Sequence, residues 1–285
     1  MIAEMNTSLL TITPADYRKL SDYIQSNYGI QLPDSKQKMV EARLQKRIKT
    51  LQMSSFSEYL HFVFSEEGNQ QEYFQMIDLI TTNKTDFYRE AAHFEFLTNE
   101  WLPKFVENKR EGEPLKIWSS ACSTGEEIYT LVMVLKDYML ANYQSFGYKI
   151  LGTDLSLRAL QTAAAGVYAH EKIEAIPMNI RKRYLLKNNN PTAPQVMVKP
   201  ELKQNIQLKR FNLLKSYEGI QESFDIIFCR NVLIYFSKES QYQVVSELLK
   251  KLKPGGYLFI GHAESLTNFS LPIVQVKPTI YRKIN

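Results

Sequence analysis

The stretch LKIWSSACSTGEEIYTLVMVLKDYMLANYQSFGYKILGTDL, residues 115–155, decides the fold. A strand-length apolar run, LKIWSSAC, meets a turn with one glycine, Gly125. A long helical pattern follows to Tyr143, and a second strand-like run ends at Gly152-Thr153-Asp154. Apolar strands alternating with helices of this length predict a mostly parallel sheet covered on both faces. The alternation continues outward through the helix SLRALQTAAAG and the strands IQLKRFNL, FDIIFCRN and YLFIGHAE, with SKESQYQVVSELLKKLKPGG as the helix between the last two. The end, IVQVKPTIYRKI, reads as two strands joined by a tight turn around Pro278, an antiparallel hairpin closing the sheet. One segment breaks the rhythm. LLKNNNPTAPQVMVKPELKQN carries Asn-Pro turn signals and a short VMVK run, which predict a small antiparallel excursion at about residues 185–205.

Upstream the period is helical. TPADYRKLSDYIQSNYG has a Thr cap, Pro at the first helical position and Gly29 as its stop. PDSKQKMVEARLQKRIKTL places Val40, Leu44, Ile48 and Leu51 on one stripe. SFSEYLHFVFSE and NQQEYFQMIDLITT add two more helices, making a small bundle. The expected organisation is an all-helical domain over 1–80, a linker over 81–113 that contributes to a ligand site, and an α/β domain over 114–285.

Of the 285 residues, 44% are hydrophobic and 12% aromatic, enough for packed cores, which excludes a disordered or disulfide-stapled chain. The apolar runs are strand-length, too short to span a bilayer, and no signal peptide is evident. Two cysteines, Cys122 and Cys229, end apolar runs and suit a reducing compartment. These readings predict a cytoplasmic protein with no membrane insertion. The net charge of +5 is unevenly placed, with Lys36, Lys38, Arg43, Lys46, Arg47 and Lys49 crowding one segment. Such a cluster suits an acidic partner, and charge alone does not choose among nucleic acid, membrane surface and protein.

In an open parallel sheet, ligands bind beyond the C-terminal ends of the strands. The first strand runs into a glycine turn whose following helix offers free N–H groups to an anion. With one glycine it is not the dinucleotide fingerprint G-x-G-x-x-G. Asp154 at the tip of the second strand can accept hydrogen bonds from both hydroxyls of a ribose, or cap the helix SLRALQ, a purpose Ser156 could serve instead. Asn212 and Leu213 close the third strand, and Arg230 and Asn231 the fourth, with Tyr235 four residues beyond Asn231. Polar groups at several strand tips together suggest a cleft. The linker TTNKTDFYRE, residues 81–90, interleaves Asn83, Thr85 and Arg89 with aromatics, as suits a segment lying across a ligand. Residue chemistry alone leaves NAD and S-adenosylmethionine (SAM) hard to separate.

The set TTNKTDFYRE, SSACSTGEEIY, GTDLS, FNLL, FDIIFCRNVLIYF and LKPGGYLFIGHAES resembles the chemotaxis receptor methyltransferases, the CheR family, in order and spacing. The resemblance runs from the N-terminal helices almost to the last residue, and FCRNVLIYF is its most specific block. It implies a Rossmann-like SAM-dependent methyltransferase domain and transfer of methyl groups from SAM to chemoreceptor glutamates, leaving S-adenosylhomocysteine. It places cofactor contacts on Asn83, Thr85, Arg89, Glu127, Asp154, Asn212, Leu213, Arg230 and Asn231, and lines the methyl-transfer pocket with Arg89 and Tyr235. It further implies that Lys36, Arg43, Lys46 and Arg47 face the acidic cytoplasmic helical region of a receptor. Neither a nucleic-acid partner nor a metal is implied, and we expect a monomer. In some members the β-insertion docks a receptor tail peptide; the turn here, NNNPTAP, lacks the glycines of those forms.

Methyl transfer to a carboxylate is an in-line displacement. A glutamate, with a reference pKa near ~4.3, is already ionised at neutral pH, so no general base is needed. The enzyme must hold the carboxylate oxygen within roughly 3–3.5 Å of the methyl carbon and strip its water. Two other readings stay open on residues alone. A nucleic-acid methyltransferase would use Arg230-Asn231…Tyr235 like an Asn-Pro-Pro-Tyr motif, although Val232 and Leu233 replace the prolines. A signalling module would bind SAM without methylating.

Overall fold

The computed structural model describes residues 9–65, 70–108, 112–188, 190 and 192–284. The chain divides into two units. One comprises residues up to Thr82 together with Tyr235–Ser237, and the other Asn83–Ile234 together with Lys238 onward.

The first unit is helical: α1 (Pro14–Tyr28), α2 (Gln37–Thr50), α3 (Phe56–Phe64) and α4 (Gln70–Ile80). The Thr13 hydroxyl accepts the Asp16 N–H, and Gly29, at φ 67°, closes α1 in the left-handed conformation. The predicted stripe of α2 is buried at Val40, Leu44 and Ile48, as are Leu20 and Ile24 of α1 and Tyr59 of α3. Leu51 falls just beyond the helix end. A buried polar tie joins three helices. Arg47 donates to both carboxylate oxygens of Glu72, and the Tyr59 hydroxyl donates to Glu72 Oε1 at 3.0 Å. Residues 235–237 belong to this unit, where the Gln31 N–H donates to the Tyr235 carbonyl at 2.8 Å.

In the second unit, α5 (Ala92–Phe96), one π-helical turn (Leu97–Trp101) and α6 (Leu102–Asn108) precede β1 (Leu115–Ser119). Then come α7 (Glu126–Ala141), β2 (Tyr148–Asp154), α8 (Leu157–Ala165), β3 (Val167–Ala169), α9 (Met178–Tyr184), β4 (Leu185–Lys187), β5 (Gln195–Val198) and β6 (Ile206–Arg210). β7 (Phe224–Cys229), α10 (Lys238–Lys251), β8 (Leu252–Ile260), β9 (Ile273–Lys277) and β10 (Ile280–Lys283) complete it. The main sheet has the order β6-β2-β1-β7-β8-β10-β9. It is parallel from β6 to β8, and β10 and β9 run antiparallel as the expected hairpin. The α/β architecture with a helical unit ahead of it is the one the sequence predicts.

Three details differ from the sequence reading. The LKPGG run, expected as the end of α10, belongs to β8. Leu252 is buried and pairs Phe224, and Lys253 is held by Asp225 at 2.7 Å and Glu113 at 2.9 Å. The small antiparallel sheet has a third strand, β3, in the order β3-β5-β4; three residues are too few to show a period. In its turn NNNPTAP, residues 189 and 191 lie outside the described residues. The expected linker contains helices, and buried Phe94, Phe96, Leu97 and Leu102 join the α/β core.

The strand order reverses at β1, which lies between β2 and β7, so the ends of these three strands bound the crevice where such sheets take ligands. Ile128 of α7 packs closely over β2. Gly152 has no side chain to hold α7 off; a Cβ there would stand 2.5 Å from Ile128 Cδ1 and 2.9 Å from Leu208 Cδ2. Gly152→Ala is expected to destabilise the α/β unit by about 1–3 kcal/mol, the usual cost of overpacking. Chemical denaturation followed by Trp118 fluorescence checks this, and an unchanged midpoint refutes it.

Candidate functional site

Each strand tip delivers its side chain through a local device. After β1 the chain turns through Ser123 (φ 50°) and Gly125 (φ 97°), and α7 starts with no side chain capping its first turn. A helix start of this kind is the arrangement that receives an anionic group. Asp154, at the end of β2, accepts the Ser123 N–H at 2.8 Å on one oxygen and the Ser156 N–H at 2.9 Å on the other. Ser156 itself caps α8, so the cap of that helix is Ser156 and not Asp154.

The segment from Asn83 lies over the same turn. The Ser123 hydroxyl donates to the Asn83 carbonyl at 3.0 Å, and Asn83 Nδ2 reaches Ser156 Oγ at 3.4 Å. Lys172 donates to the Thr85 carbonyl at 3.2 Å, and Arg89 Nη1 to the Lys84 carbonyl at 3.1 Å. After β6, the Asn212 side-chain oxygen accepts the Leu214 N–H at 3.0 Å, while Leu213 is buried and its carbonyl accepts from Tyr217.

Arg230 joins these parts. Its guanidinium, 2% exposed, donates to Glu127 Oε2 at 3.1 Å, to Glu90 Oε2 at 3.1 Å and to the Arg89 carbonyl. Glu127 is held on its other oxygen by the Ser119 hydroxyl at 2.7 Å. Asn231 donates to Glu90 Oε1 at 3.1 Å, and the same oxygen accepts the His262 N–H at 3.1 Å. Arg230 and Glu127 thus spend their side chains on protein partners, which fixes the 89–90 segment over the tips of β1 and β7. Of the residues anticipated for the cofactor, Asn83, Glu127, Asp154 and Arg230 join this turn-and-strand-tip assembly directly, and Asn231 joins it through Glu90. Tyr235 falls with the helical unit.

The sequence reading did not assign roles to Glu90, Glu264 or His93. Glu264 accepts the backbone N–H groups of Asn231, Leu233, Ile234 and Gly261 at 2.5–3.3 Å. It thereby holds Asn231 at φ 57°, and a Cβ on Gly261 would meet Asn231 Nδ2 at 2.3 Å. Tyr88, Glu90, Ser123 and Asn231 all have positive φ, a costly conformation for such residues that collects at functional sites. The signal was available: Glu90 and Glu264 both lie inside quoted motifs.

Burial shapes the electrostatics. It pushes the Glu127 and Glu264 carboxyls above the usual range. Glu90 is also penalised by burial, but Arg230, the His262 N–H and Asn231 outweigh this and hold it below that range. His93 is 1% exposed, and burial, reinforced by Arg230, lowers its imidazole to about 3.

This donor set fits SAM. A carboxylate at the β2 tip suits a ribose diol, and an uncapped helix start suits the amino-acid carboxylate. The comparisons agree. Residues 83–281 match the CheR methyltransferase SAM-binding domain and residues 15–81 the CheR methyltransferase all-alpha domain. The chain belongs to the CheR methyltransferase family. It is 36% identical over 276 residues to a chemotaxis protein methyltransferase of Borreliella burgdorferi, covering 96% of each chain. A relative of the same name from Escherichia coli is 33% identical over 277 residues, covering 96% of this chain and 93% of that one. The chain is accordingly a SAM-dependent methyltransferase of chemotaxis, with chemoreceptors as its substrates. No helix among the described residues is long and apolar enough to cross a membrane.

His93 makes a pH signature. Between its ordinary value of 6.5 and about 3, the unfolded chain binds a proton that the folded ring refuses. Stability contributed by this group is full above that window and falls as pH drops through it, by up to about 1.4 kcal/mol per pH unit. Denaturation midpoints of His93→Gln should therefore vary less than wild type between pH values of about 7 and 5. Equal slopes would show that His93 is not the group responsible.

Proposed function

We propose that this CheR-family methyltransferase esterifies glutamate side chains in the cytoplasmic helical region of chemoreceptors, acting as a cytoplasmic monomer. The observation that carries the reading is the strand-tip assembly. Asp154, the uncapped start of α7 and the Asn83–Arg89 segment stand together at the switch point of a parallel sheet. Bound SAM supplies an electrophilic methyl carbon on a sulfonium, and S-adenosylhomocysteine is the leaving product. The protein's own task is to bring an ionised carboxylate to that carbon and exclude water. No proton has to move, which agrees with a site built from Arg, Asn and Asp side chains.

In this reading Asn83, Thr85, Asp154, Asn212 and Leu213 contact the cofactor. Glu127, Arg230 and Asn231, given as contacts by the family resemblance, form the base on which it rests. Arg89, whose Nη1 donates to the Lys84 carbonyl, would orient the incoming carboxylate. Tyr235 would donate to the same group. Arg89→Ala and Tyr235→Phe should each lower kcat by about ten- to a hundredfold, the worth of one charge-assisted hydrogen bond, while SAM still binds. The assay is base-labile label on chemoreceptor membranes from radiolabelled SAM. Wild-type rates in both variants would overturn the assignment, and label appearing on RNA or DNA would overturn the substrate class.

The receptor-facing surface is narrower than the charge run suggested. Arg47 is committed to buried Glu72, and Arg43 donates to the Ile80 and Thr81 carbonyls and to Thr82 Oγ1. Lys36 and Lys46 are exposed and are the better candidates for acidic receptor helices. Lys36→Glu with Lys46→Glu should slow methylation of intact receptor about tenfold at low salt and less at high salt, with the thermal midpoint retained. Identical rates at both ionic strengths would remove these lysines from recognition.

A further inference from the structure

A cluster beside the site is not used by methyl transfer. Glu90, His93 and His262 each present one donor atom, all within 4.8 Å of one another. His93 Nδ1 lies 3.7 Å and His262 Nε2 4.0 Å from Glu90 Oε2. The tautomer of His93 follows from its neighbours. Thr279 Oγ1 stands 2.6 Å from the Pro278 carbonyl, which can only accept, so the single hydroxyl proton is directed there. His93 Nε2, 2.8 Å from the same hydroxyl oxygen, must then carry the ring proton and donate. Nδ1 is left as a bare lone pair, and it is a buried nitrogen with no hydrogen-bond partner in a residue 1% exposed. An unmet acceptor at that depth costs free energy unless something fills it, and it lies beside the Glu90 carboxylate and the His262 ring.

We infer that Glu90, His93 and His262 form a binding site for a divalent cation of the borderline class, Zn2+ being the best fit. Two imidazole nitrogens and one carboxylate oxygen are the donors such an ion prefers, and an open fourth position remains for water. In a tetrahedral shell with bonds of about 2.0–2.2 Å, donors stand about 3.4 Å apart, so the three must close by little. The His262 ring, 60% exposed, is free to make that adjustment. Arg230 opposes a cation here. Its single charge is flanked by the Glu90 and Glu127 carboxylates, however, and these three groups together carry a formal charge of −1 before any ion arrives. Burial keeps the His93 ring neutral, the form that ligates. A bound ion would staple the start of α5 to the loop after β8.

The test uses the full chain, freed of metal. Titration with Zn2+ against a chromophoric chelator should give one ion per chain. His262→Ala, which keeps the backbone N–H on Glu90, should weaken binding by more than about a hundredfold, beyond the loss caused by removing a group that only supports a ligand. Zn2+ should raise the thermal midpoint of the wild type and not of His262→Ala, and Mg2+ should do neither. His93→Gln is a second variant with the same expected loss. The inference is overturned if wild type takes up no Zn2+ at micromolar concentration. It is equally overturned if His262→Ala binds with unchanged stoichiometry and affinity, which would put the ion at His61 or His170.

Discussion

A guanidinium buried between two carboxylates organises the α/β unit's ligand end. Arg230 stands at the end of β7, Glu127 in the first turn of α7 and Glu90 in the segment ahead of α5, so three parts distant in sequence converge on one planar cation. Burying such charges is costly, and the Coulombic return is adequate only when geometry is good and the remaining protons are satisfied. Here the Arg89 carbonyl, the Ser119 hydroxyl, Asn231 and the His262 N–H supply that satisfaction. The position of Arg89, and the path of the chain leading to it, follow from this arrangement. Asp154 is held at the sheet's edge of the crevice by the Ser123 and Ser156 N–H groups, one on each oxygen.

The architecture was legible because each long element carried an unambiguous period. The stripe Val40, Leu44, Ile48 and the apolar run of β7 left little choice, and Thr13 and Gly29 marked the limits of α1 with capping chemistry. β3 was not legible, since Val167–Ala169 is defined by pairing with β5 rather than by any pattern of its own. The start of β8 was misread because Lys253, Pro254 and Gly255 look like a helix stop. Lys253 is instead held beside the strand by Asp225 and Glu113, partners far away in the chain.

The candidate site divided in the same way. Asp154 was readable because a strand tip has a position in the fold before any contact is known. Arg230 and Glu127 were readable as residues of interest, but not that each completes the other's charge. Arg47 shows the limit of reading a charge run on a helical wheel. Its neighbour across the bundle, Glu72, lies in a separate helix, and nothing in the local sequence reveals that the pair is buried. Tertiary pairing, unlike periodicity, leaves no local trace.

Glu264 has a consequence for the cost of each turnover. One carboxylate gathers four backbone N–H groups from the segments following β7 and β8, doing for an irregular loop what a ladder does for a strand. A loop free to wander would have to be ordered whenever a ligand arrived, losing backbone entropy of about 1–2 kcal/mol per residue each time. In this chain that loss is taken once, on folding. If the polypeptide that carries Asn231 takes the ligand as proposed, it meets it already shaped, and binding energy that would have gone into tidying the loop is left for alignment of the reacting groups.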